Sequence, residues 1–534
     1  DFCLSRGLGD VYKRQGSLNS VNAPLISLAP ESLEVTIPVS VLEELAAGQS
    51  NVLSTLPVDS TEALDRGLFV TAPADGSVNV SSLNEVVFEL TAEELATLSG
   101  DAVLEVSATD EALTVSVPGT DFSEETEDDM RPQVTGIYSE LTGDAQALID
   151  AGLTAHVEIN SRFTSSPSLV KWFAMIAGTI AALIALWSIA RMDVLDGRRL
   201  GVLRPEWRSF KPLDGVVVTL LLFWHFFGAN TSDDGFLLTM ARVANESDYM
   251  ANYYRWYGVP EAPFGSPFYD LLSLLSKVST ASAWMRLPTL IAGILIWWIL
   301  SRDILPRLGA TIATRRVSYW TAAFMFLAFW LPYDNGLRPE PIIALGTLAT
   351  WASFESAIAS RRLLPAALGT IFAAVTLACG PTGLTAVGVF LVCLPQVLKI
   401  LSERRVIAPL VSYVFPFLGA GFAVMVLVFK DQTLATVLES TSVRSAVGPA
   451  LEWYNEYVRY ATLLEATVDG SLTRRFPMLI LVLCLVLVLW SMSHYGAVPG
   501  AKPAPTRRML AIFGLSMFFL MFTPTKWTHH FGIY

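Results

Sequence analysis

The stretch LVKWFAMIAGTIAALIALWSIARMDVLDGRR, residues 169–199, decides the fold class of this chain. Apart from Lys171, residues 168–190 are apolar or small, and about 20 apolar residues in an α-helix cross the roughly 30 Å core of a bilayer. Arginines follow directly, which is typical of a membrane helix that ends at the cytoplasmic surface. The stretch therefore predicts a membrane-spanning helix.

The rest of the chain repeats this pattern. Hydrophobic residues make up 52% of the sequence and charged residues 16%, and the mean hydropathy is +0.48, which is too apolar for an ordinary soluble protein. We predict ten spans in all, at about 168–190, 214–230, 286–300, 317–333, 340–358, 363–379, 383–398, 408–430, 476–491 and 509–523.

Basic residues predict the orientation of these spans, because Lys and Arg in short loops stay in the cytoplasm. Every second loop is basic; Arg474 and Arg475 are exceptions at the end of a long external segment. All the segments with chemical character therefore open on the same, extracytoplasmic face of the membrane. The basic loops carry Arg191, Arg198, Arg199, Arg204 and Arg208; Arg302, Arg307, Arg315 and Arg316; Arg361 and Arg362; Lys399, Arg404 and Arg405; and Lys502, Arg507 and Arg508.

Residues 16–165 form a separate, acidic region whose short strand-like runs alternate with turn signals. The runs are at 33–41, 67–80, 85–91, 102–108, 112–119 and 153–163. This pattern predicts an extracytoplasmic antiparallel β-sandwich of jelly-roll type. The acidic run DFSEETEDDM at 121–130 lacks the spaced ligands of a calcium loop, so we interpret it as a solvated loop; a structural calcium is not indicated. The formal net charge of −13 argues against a nucleic-acid partner.

Both ends of the sequence look incomplete. Residues 1–15 match neither a signal peptide nor the acidic region, and they resemble adaptor-derived sequence, so they are left out of the fold prediction. Tyr534 follows an apolar run without a closing loop. We expect missing material at both termini, with 166–534 as a C-terminally truncated membrane domain.

The first chemical motif is Thr231-Ser232-Asp233-Asp234-Gly235, where the second span leaves the membrane. A carboxylate there can reach a lipid head group and act as a general base. Asp-Asp-Gly alone is more often a turn or a helix cap, but its place after a membrane span favours function. Asp233 is the candidate catalytic base.

Three other outer segments could support this base. Glu261, between prolines in an aromatic-rich loop, is the best further carboxylate. Arg338 precedes a Pro-initiated span and could bind a phosphate, although an ion pair with Glu340 is the safer interpretation.

The last outer segment, Lys526-Trp527-Thr528-His529-His530, could neutralise a lipid-linked phosphate. An interfacial Trp/Lys anchor is the structural alternative. Adjacent histidines point to different faces of a helix, which argues against a two-His metal site. Because motifs for nucleotide binding are missing, we do not expect a soluble nucleotide donor. We expect no required metal, since Lys and His can neutralise a leaving phosphate.

Together these residues resemble the Emb-type cell-wall arabinosyltransferases of mycolic-acid bacteria, the targets of ethambutol. The resemblance covers the chain from about residue 20 to its end. It is carried by NTSDDGFLLTMARVA, YMANYYRWYGVPEAPFG, ASAWMRLP, SRDILPRLG, NGLRPEPIIALGTLA, DQTLATVLESTSVR, DGSLTRRF and TPTKWTHHFG.

The resemblance implies a C-type glycosyltransferase architecture and inverting transfer of arabinofuranose from decaprenyl-phosphoryl-arabinose to a growing arabinan. It implies Asp233 as the base and a donor site formed by Asp234, Glu261, Lys526, Trp527, His529 and His530. Met240 resembles a drug-resistance position, and Phe236 replaces the usual Tyr after Asp-Asp-Gly. A homodimer or a heterodimer with a paralogue is compatible with the family.

Two alternatives stay open at this point. An enzyme that uses polyprenyl-phosphate mannose would share the acid at a helix mouth, and only the family-specific segments separate it. A transporter or flippase would place ionisable residues and broken helices near the middle of the bilayer in paired halves. The polar residues here collect at one boundary, so the transporter is less favoured.

Overall fold

A computed structural model describes residues 30–44, 49–59, 63–134, 136–142, 145–158, 167–198, 205–247, 266–404, 409–430, 433–435, 437–438, 442 and 450–534. These residues form an N-terminal β unit and a helical unit, whose described part begins at residue 167.

Among its described residues, the β unit contains nine antiparallel strands in two sheets. One sheet has the order β8-β7-β6-β1-β9 and the other the order β2-β3-β4-β5. The strands are β1 (Ser32–Pro38), β2 (Asn51–Ser54), β3 (Leu68–Thr71), β4 (Val78–Ser82), β5 (Glu85–Leu90), β6 (Val103–Ala108), β7 (Leu113–Ser116), β8 (Ser123–Thr126) and β9 (Thr154–Glu158). Short helices lie at Val39–Glu44, Ala63–Arg66, Ala92–Leu95 and Ala145–Asp150.

Alternating side chains explain why the two sheets pack together. In β1, Leu33, Val35 and Ile37 are buried, and they join Val70 and Val80 of the other sheet in one core. Antiparallel strands with one apolar face bury that face against a second sheet. The predicted β-sandwich is confirmed.

The sequence prediction missed two strands. β2 is buried at every position, so it shows no alternation. β8 lies inside the acidic run at 121–130, which we had interpreted entirely as a solvated loop. That interpretation is wrong for Ser123–Thr126, because these residues form an edge strand paired with β7, and an edge strand tolerates charged side chains.

The helical unit contains fourteen helices of seven or more residues among the described residues. They are α1 (Leu169–Leu195), α2 (Pro212–Phe227), α3 (Asp234–Ser247), α4 (Ser266–Ser276), α5 (Leu287–Ile299), α6 (Arg316–Tyr333), α7 (Glu340–Ser360), α8 (Leu364–Cys379), α9 (Leu384–Arg404), α10 (Val411–Gly421), α11 (Ala423–Phe429), α12 (Tyr457–Leu464), α13 (Leu472–Tyr495) and α14 (Pro503–Leu520).

Shorter turns connect these helices. A π-helical turn, Leu300–Ile304, and a short helix, Leu305–Leu308, continue α5. The others are Pro205–Arg208, Ser282–Met285, Ala310–Thr314, Pro381–Gly383, Trp453–Glu456 and Thr528–Ile533.

Each predicted span coincides with helix in the structure. In the part of the chain that the structure describes, six segments are long and apolar enough to cross a membrane: Leu169–Leu195, Leu287–Leu308, Glu340–Ser360, Pro381–Arg404, Val411–Phe429 and Leu472–Tyr495. α2 and α8 are apolar but shorter. The helical unit is thus that of a membrane protein, while the count of ten crossings remains a prediction.

Buried ion pairs join the helices at the end that is predicted to be cytoplasmic. Asp193 of α1 accepts hydrogen bonds from the backbone N–H groups of Leu363 and Leu364 and pairs with Arg404 of α9 at 2.8 Å. Glu355 of α7 forms a bidentate pair with Arg508, at 2.6 and 2.7 Å. α14 starts at Pro503, before the predicted start of its span at about 509; proline suits the first turn of a helix, and the pair with Glu355 neutralises Arg508 within the added turns.

Candidate functional site

Asp233 and Asp234 lie at the start of α3, directly after the turn that follows α2. Acidic residues are favoured there because the first N–H groups of a helix are unpaired and its dipole attracts negative charge. The backbone carbonyl of Asp233 accepts from the N–H of Leu237 in the first turn of α3. Both carboxylates are therefore carried by the start of α3.

Asp234 connects its own turn to the loop between α6 and α7. Its carboxylate accepts from the N–H and the hydroxyl of Thr231 and, at 2.9 Å, from the N–H of Leu337. Gly336 makes this approach possible: its φ is +137°, and a Cβ there would lie 2.7 Å from an Asp234 oxygen. Asp234 thus holds the two segments together, and its predicted contact with a donor remains a prediction.

Arg338 pairs with Asp233. Its Nε lies 2.8 Å from the Asp233 carboxylate, and its Nη2 donates to the Ser232 hydroxyl at 3.2 Å. We had predicted a pair between Arg338 and Glu340; in the structure the ion pair of Arg338 is with Asp233 instead. The reason is geometric, because the Asp234 contact with Leu337 brings the next residue, Arg338, beside Asp233.

A second set of contacts holds the loop between α6 and α7 and comes from Arg286 and Thr289. Arg286 donates to the carbonyl of Gly228 at 3.1 Å and to the side chain of Asn335 at 3.3 Å. Thr289, in the first turn of α5, donates to the carbonyl of Gly336 at 2.7 Å. The end of α2, the start of α5 and the 334–340 loop therefore form one rigid support for Asp233.

Glu340 faces both histidines of the last outer segment. The Nε2 atoms of His529 and His530 lie 3.9 and 3.7 Å from Oε1 of Glu340, and all three residues are buried. The expectation that adjacent histidines diverge is wrong here, because Thr528–Ile533 is a 3₁₀ turn and not an α-helix.

These three side chains are the cluster of His and acidic groups that, within the described residues, could converge on a metal ion. The hydrogen bonding of His530 opposes that use. Its Nδ1 lies 2.5 Å from Nη1 of Arg459, and Arg only donates, so a neutral His530 carries its proton on Nε2. That nitrogen then has no lone pair for a metal.

The site keeps these imidazoles neutral. Burial, and then the positive charge of Arg338, lower the pKa of His529 well below its usual value. Burial, and then Arg459, lower the pKa of His530 in the same direction. Both rings therefore offer hydrogen bonds without a charge at neutral pH.

Lys526 and Trp527 lie next to the histidines but face different surroundings. Lys526 is buried; it donates to the carbonyls of Met521 and Thr523 at 2.6 and 2.8 Å and lies 3.7 Å from Glu456. It satisfies carbonyl groups at the end of α14, as a basic residue there commonly does. The side chain of Trp527 is 45% exposed, which suits an interfacial anchor or a ligand contact.

Two arginines that hold this segment were missed by the sequence prediction. Arg459 of α12 is fully buried and donates to Glu456, Thr523 and the carbonyl of Trp527. Arg474 donates to Thr528 at 3.0 Å. The only sequence signal for Arg459 is a basic residue inside the amphipathic segment YVRYATLL.

Three predicted positions remain. Glu261 lies outside the described residues. Met240 is buried in α3, two turns after Asp233. Phe236 is 44% exposed, so a hydroxyl at its ring would not have to be satisfied inside the core.

Comparisons with known proteins match this architecture over nearly the whole chain. Residues 166–534 match the family described as "Mycobacterial cell wall arabinan synthesis protein". Residues 14–162 match the family described as "Arabinosyltransferase concanavalin like domain".

Curated proteins that are similar to this chain are named arabinosyltransferases. The chain is 43% identical to "Probable arabinosyltransferase C" of Mycobacterium leprae, over 98% of this chain and 50% of that protein. It is 44% identical to "Probable arabinosyltransferase B" of Mycobacterium avium, over 98% of this chain and 49% of that protein. The chain thus spans about half the length of the curated relatives it matches.

A solved structure agrees. The cryo-EM structure of arabinosyltransferase EmbB from Mycobacterium smegmatis has a TM-score of 0.66 and 38% identity to this chain, over 97% of this chain and 48% of that one. This match supports the membrane fold and the β-sandwich together.

Proposed function

Because the chain belongs to the family of mycobacterial cell wall arabinan synthesis proteins, we propose that it carries the reaction centre of an arabinosyltransferase. The substrate pair is a lipid-linked donor, decaprenyl-phosphoryl-arabinose, and a growing arabinan of the cell wall. The reaction takes place on the extracytoplasmic face of the plasma membrane. The observation that carries the proposal is the Asp233 carboxylate beside Arg338 at the mouth of two apolar helices.

In this proposal Asp233 is the general base. It takes the proton of an acceptor hydroxyl while that oxygen attacks the anomeric carbon of arabinofuranose from the face opposite the phosphate. The bond from the anomeric carbon to the phosphate oxygen breaks, and decaprenyl phosphate leaves with the electron pair. One displacement of this kind inverts the anomeric centre.

Arg338 and the two histidines suit the leaving group. Nη1 of Arg338 is buried and has no hydrogen-bond partner among the described residues, so it is available to a phosphate oxygen. His529 and His530 add uncharged donors in a water-poor setting, where such bonds are strong. Since Lys526 already bonds two carbonyls, Arg338 is the better cation for the phosphate.

The test is transfer of labelled arabinose in membranes that contain the full-length enzyme. Asp233→Asn keeps the shape of the side chain and removes the base, so transfer should fall by about 100-fold or more. Glu403→Gln is the matched control, because it removes a carboxylate from an exposed pair with Arg361 at the opposite end of the bundle. Equal folding of both variants is checked by thermal unfolding.

Retained transfer in Asp233→Asn would exclude Asp233 as the base. A parallel reaction with polyprenyl-phosphoryl-mannose decides between donors: transfer of mannose but not arabinose would contradict the proposed donor.

A further inference from the structure

Arg459 occupies an unusual position beside the site. It is fully buried, and its guanidinium donates to two segments: Glu456 in the preceding turn, and the end of α14 with the turn after it. Its Nη1 donates both to the carbonyl of Trp527, at 2.8 Å, and to Nδ1 of His530. The plane of the guanidinium thus aligns the His530 ring.

The direction of that last hydrogen bond has a chemical consequence. Arginine has five N–H donors, no acceptor, and no accessible deprotonated state. Nδ1 of His530 must therefore accept, and in a neutral imidazole the single proton then resides on Nε2. Nε2 is the atom that faces Glu340.

We infer that Arg459 is a positioning residue that fixes the Nε2–H tautomer of His530, so that this corner of the site offers a neutral N–H donor to a ligand oxygen. The inference rests on the proposed function, and it defines the ligand chemistry there: an oxygen acceptor, such as a phosphate or sugar oxygen, and not a metal ion. Arg459 acts through His530 and does not itself touch the reacting atoms.

The charges that surround His530 agree with a neutral ring. Arg459 and Arg338 oppose a proton on it, and so does Lys526, whereas Glu340 favours one. Burial adds to the opposition, and the pKa of His530 is lowered well below its usual value. The ring can therefore act as a donor only through the tautomer that Arg459 selects.

The direct test is the ¹⁵N NMR spectrum of full-length enzyme labelled at histidine in lipid nanodiscs at pH 7.5. The difference between wild type and His530→Gln assigns the His530 nitrogens. A protonated Nε2 and an unprotonated Nδ1 are expected. The opposite tautomer, or two protonated nitrogens, would overturn the inference. This test requires no substitution at Arg459.

A second test uses zinc ions as the probe. Arg459→Met frees Nδ1 to carry the proton, so Nε2 can bind a metal together with Glu340 and His529. Zn²⁺ should then inhibit the variant at a concentration at least about tenfold lower than wild type. Arg459→Lys keeps the charge beside Glu456 and serves as the conservative control. Equal Zn²⁺ sensitivity of wild type and a folded Arg459→Met would contradict the tautomer assignment.

The two proposals can fail separately, because the NMR spectrum requires no turnover. The predicted His530 spectrum in an enzyme that transfers no arabinose would remove the proposed function and leave the tautomer in place. Arabinose transfer with the opposite tautomer would do the reverse.

Discussion

Asp334 shows how a single residue of the site is held in an unfavourable state. Its carboxyl is buried, and neither oxygen has a hydrogen-bond partner among the described residues. Burial, and then the nearby charge of Glu340, raise its pKa well above the usual value. Gly532 allows this packing, since a Cβ there would lie 2.5 Å from an Asp334 oxygen.

This residue predicts a specific pH dependence of stability. A carboxyl with a raised pKa in the folded state binds a proton that the unfolded chain has released, so its stability contribution is complete below the unfolded pKa of 3.8 and is lost as pH rises above it. The maximal slope is about 1.4 kcal/mol per pH unit. Asp334→Asn removes this loss.

The gain in thermal unfolding temperature from Asp334→Asn should therefore be larger at pH 8 than at pH 5. The measurement is thermal unfolding of the purified full-length protein in detergent, with Glu403→Gln as the control. A gain that is independent of pH would contradict a protonated Asp334.

At the scale of elements, contacts at the helix ends determine how the helices are arranged. The predicted cytoplasmic ends are joined by buried acid–base pairs, whereas the opposite ends of α2, α6 and α14 converge on the site. Asp193 is one such joint, because from its place in α1 it binds both the start of α8 and Arg404 of α9.

Asp193→Ala should destabilise the helical unit by about 3 kcal/mol or more, because it removes one of the two carboxylates that pair with the buried Arg404 and leaves the N–H groups of Leu363 and Leu364 without their acceptor. Glu403→Ala, which breaks an exposed pair with Arg361, should change stability by less than about 1 kcal/mol. Chemical denaturation of the two variants checks both values. Similar effects of the two substitutions would show that burial does not determine the strength of these pairs.

The same scale explains what the sequence could predict. Apolar runs and basic loops predicted where helices lie and that the motifs at 233, 338 and 526 share one face, because loop parity follows from counting spans. The sequence could not predict that Arg338 pairs with Asp233. That pair depends on the hydrogen bond between Asp234 and Leu337, which are 103 residues apart. Arg459 was missed for the same reason, since its partner His530 is 71 residues away.

At the scale of the whole molecule, the orientation in the membrane is the property that the function depends on. α13 separates two exposed positions: Val468, before the helix, and Pro499, after it. The predicted topology places Val468 outside and Pro499 inside.

Single-cysteine labelling in intact cells tests this orientation. In the full-length protein, a membrane-impermeant maleimide should label Val468→Cys and should label Pro499→Cys only after the cells are permeabilised. Cys379 and Cys393 are buried, and Cys484 lies in the middle of α13, so the native thiols described here should stay silent. Labelling of Pro499→Cys in intact cells would invert the topology.

The guanidinium of Arg459 also has an evolutionary consequence. One rigid group satisfies acceptors from a carboxylate at 456, a hydroxyl at 523, a carbonyl at 527 and an imidazole at 530. A substitution at 456, 523 or 530 removes a side-chain acceptor of this group and so changes its fit to the others, whereas the carbonyl at 527 is present with any residue. The residues that meet at Arg459 are therefore expected to be inherited as one set, so that each restricts which amino acids its neighbours can become.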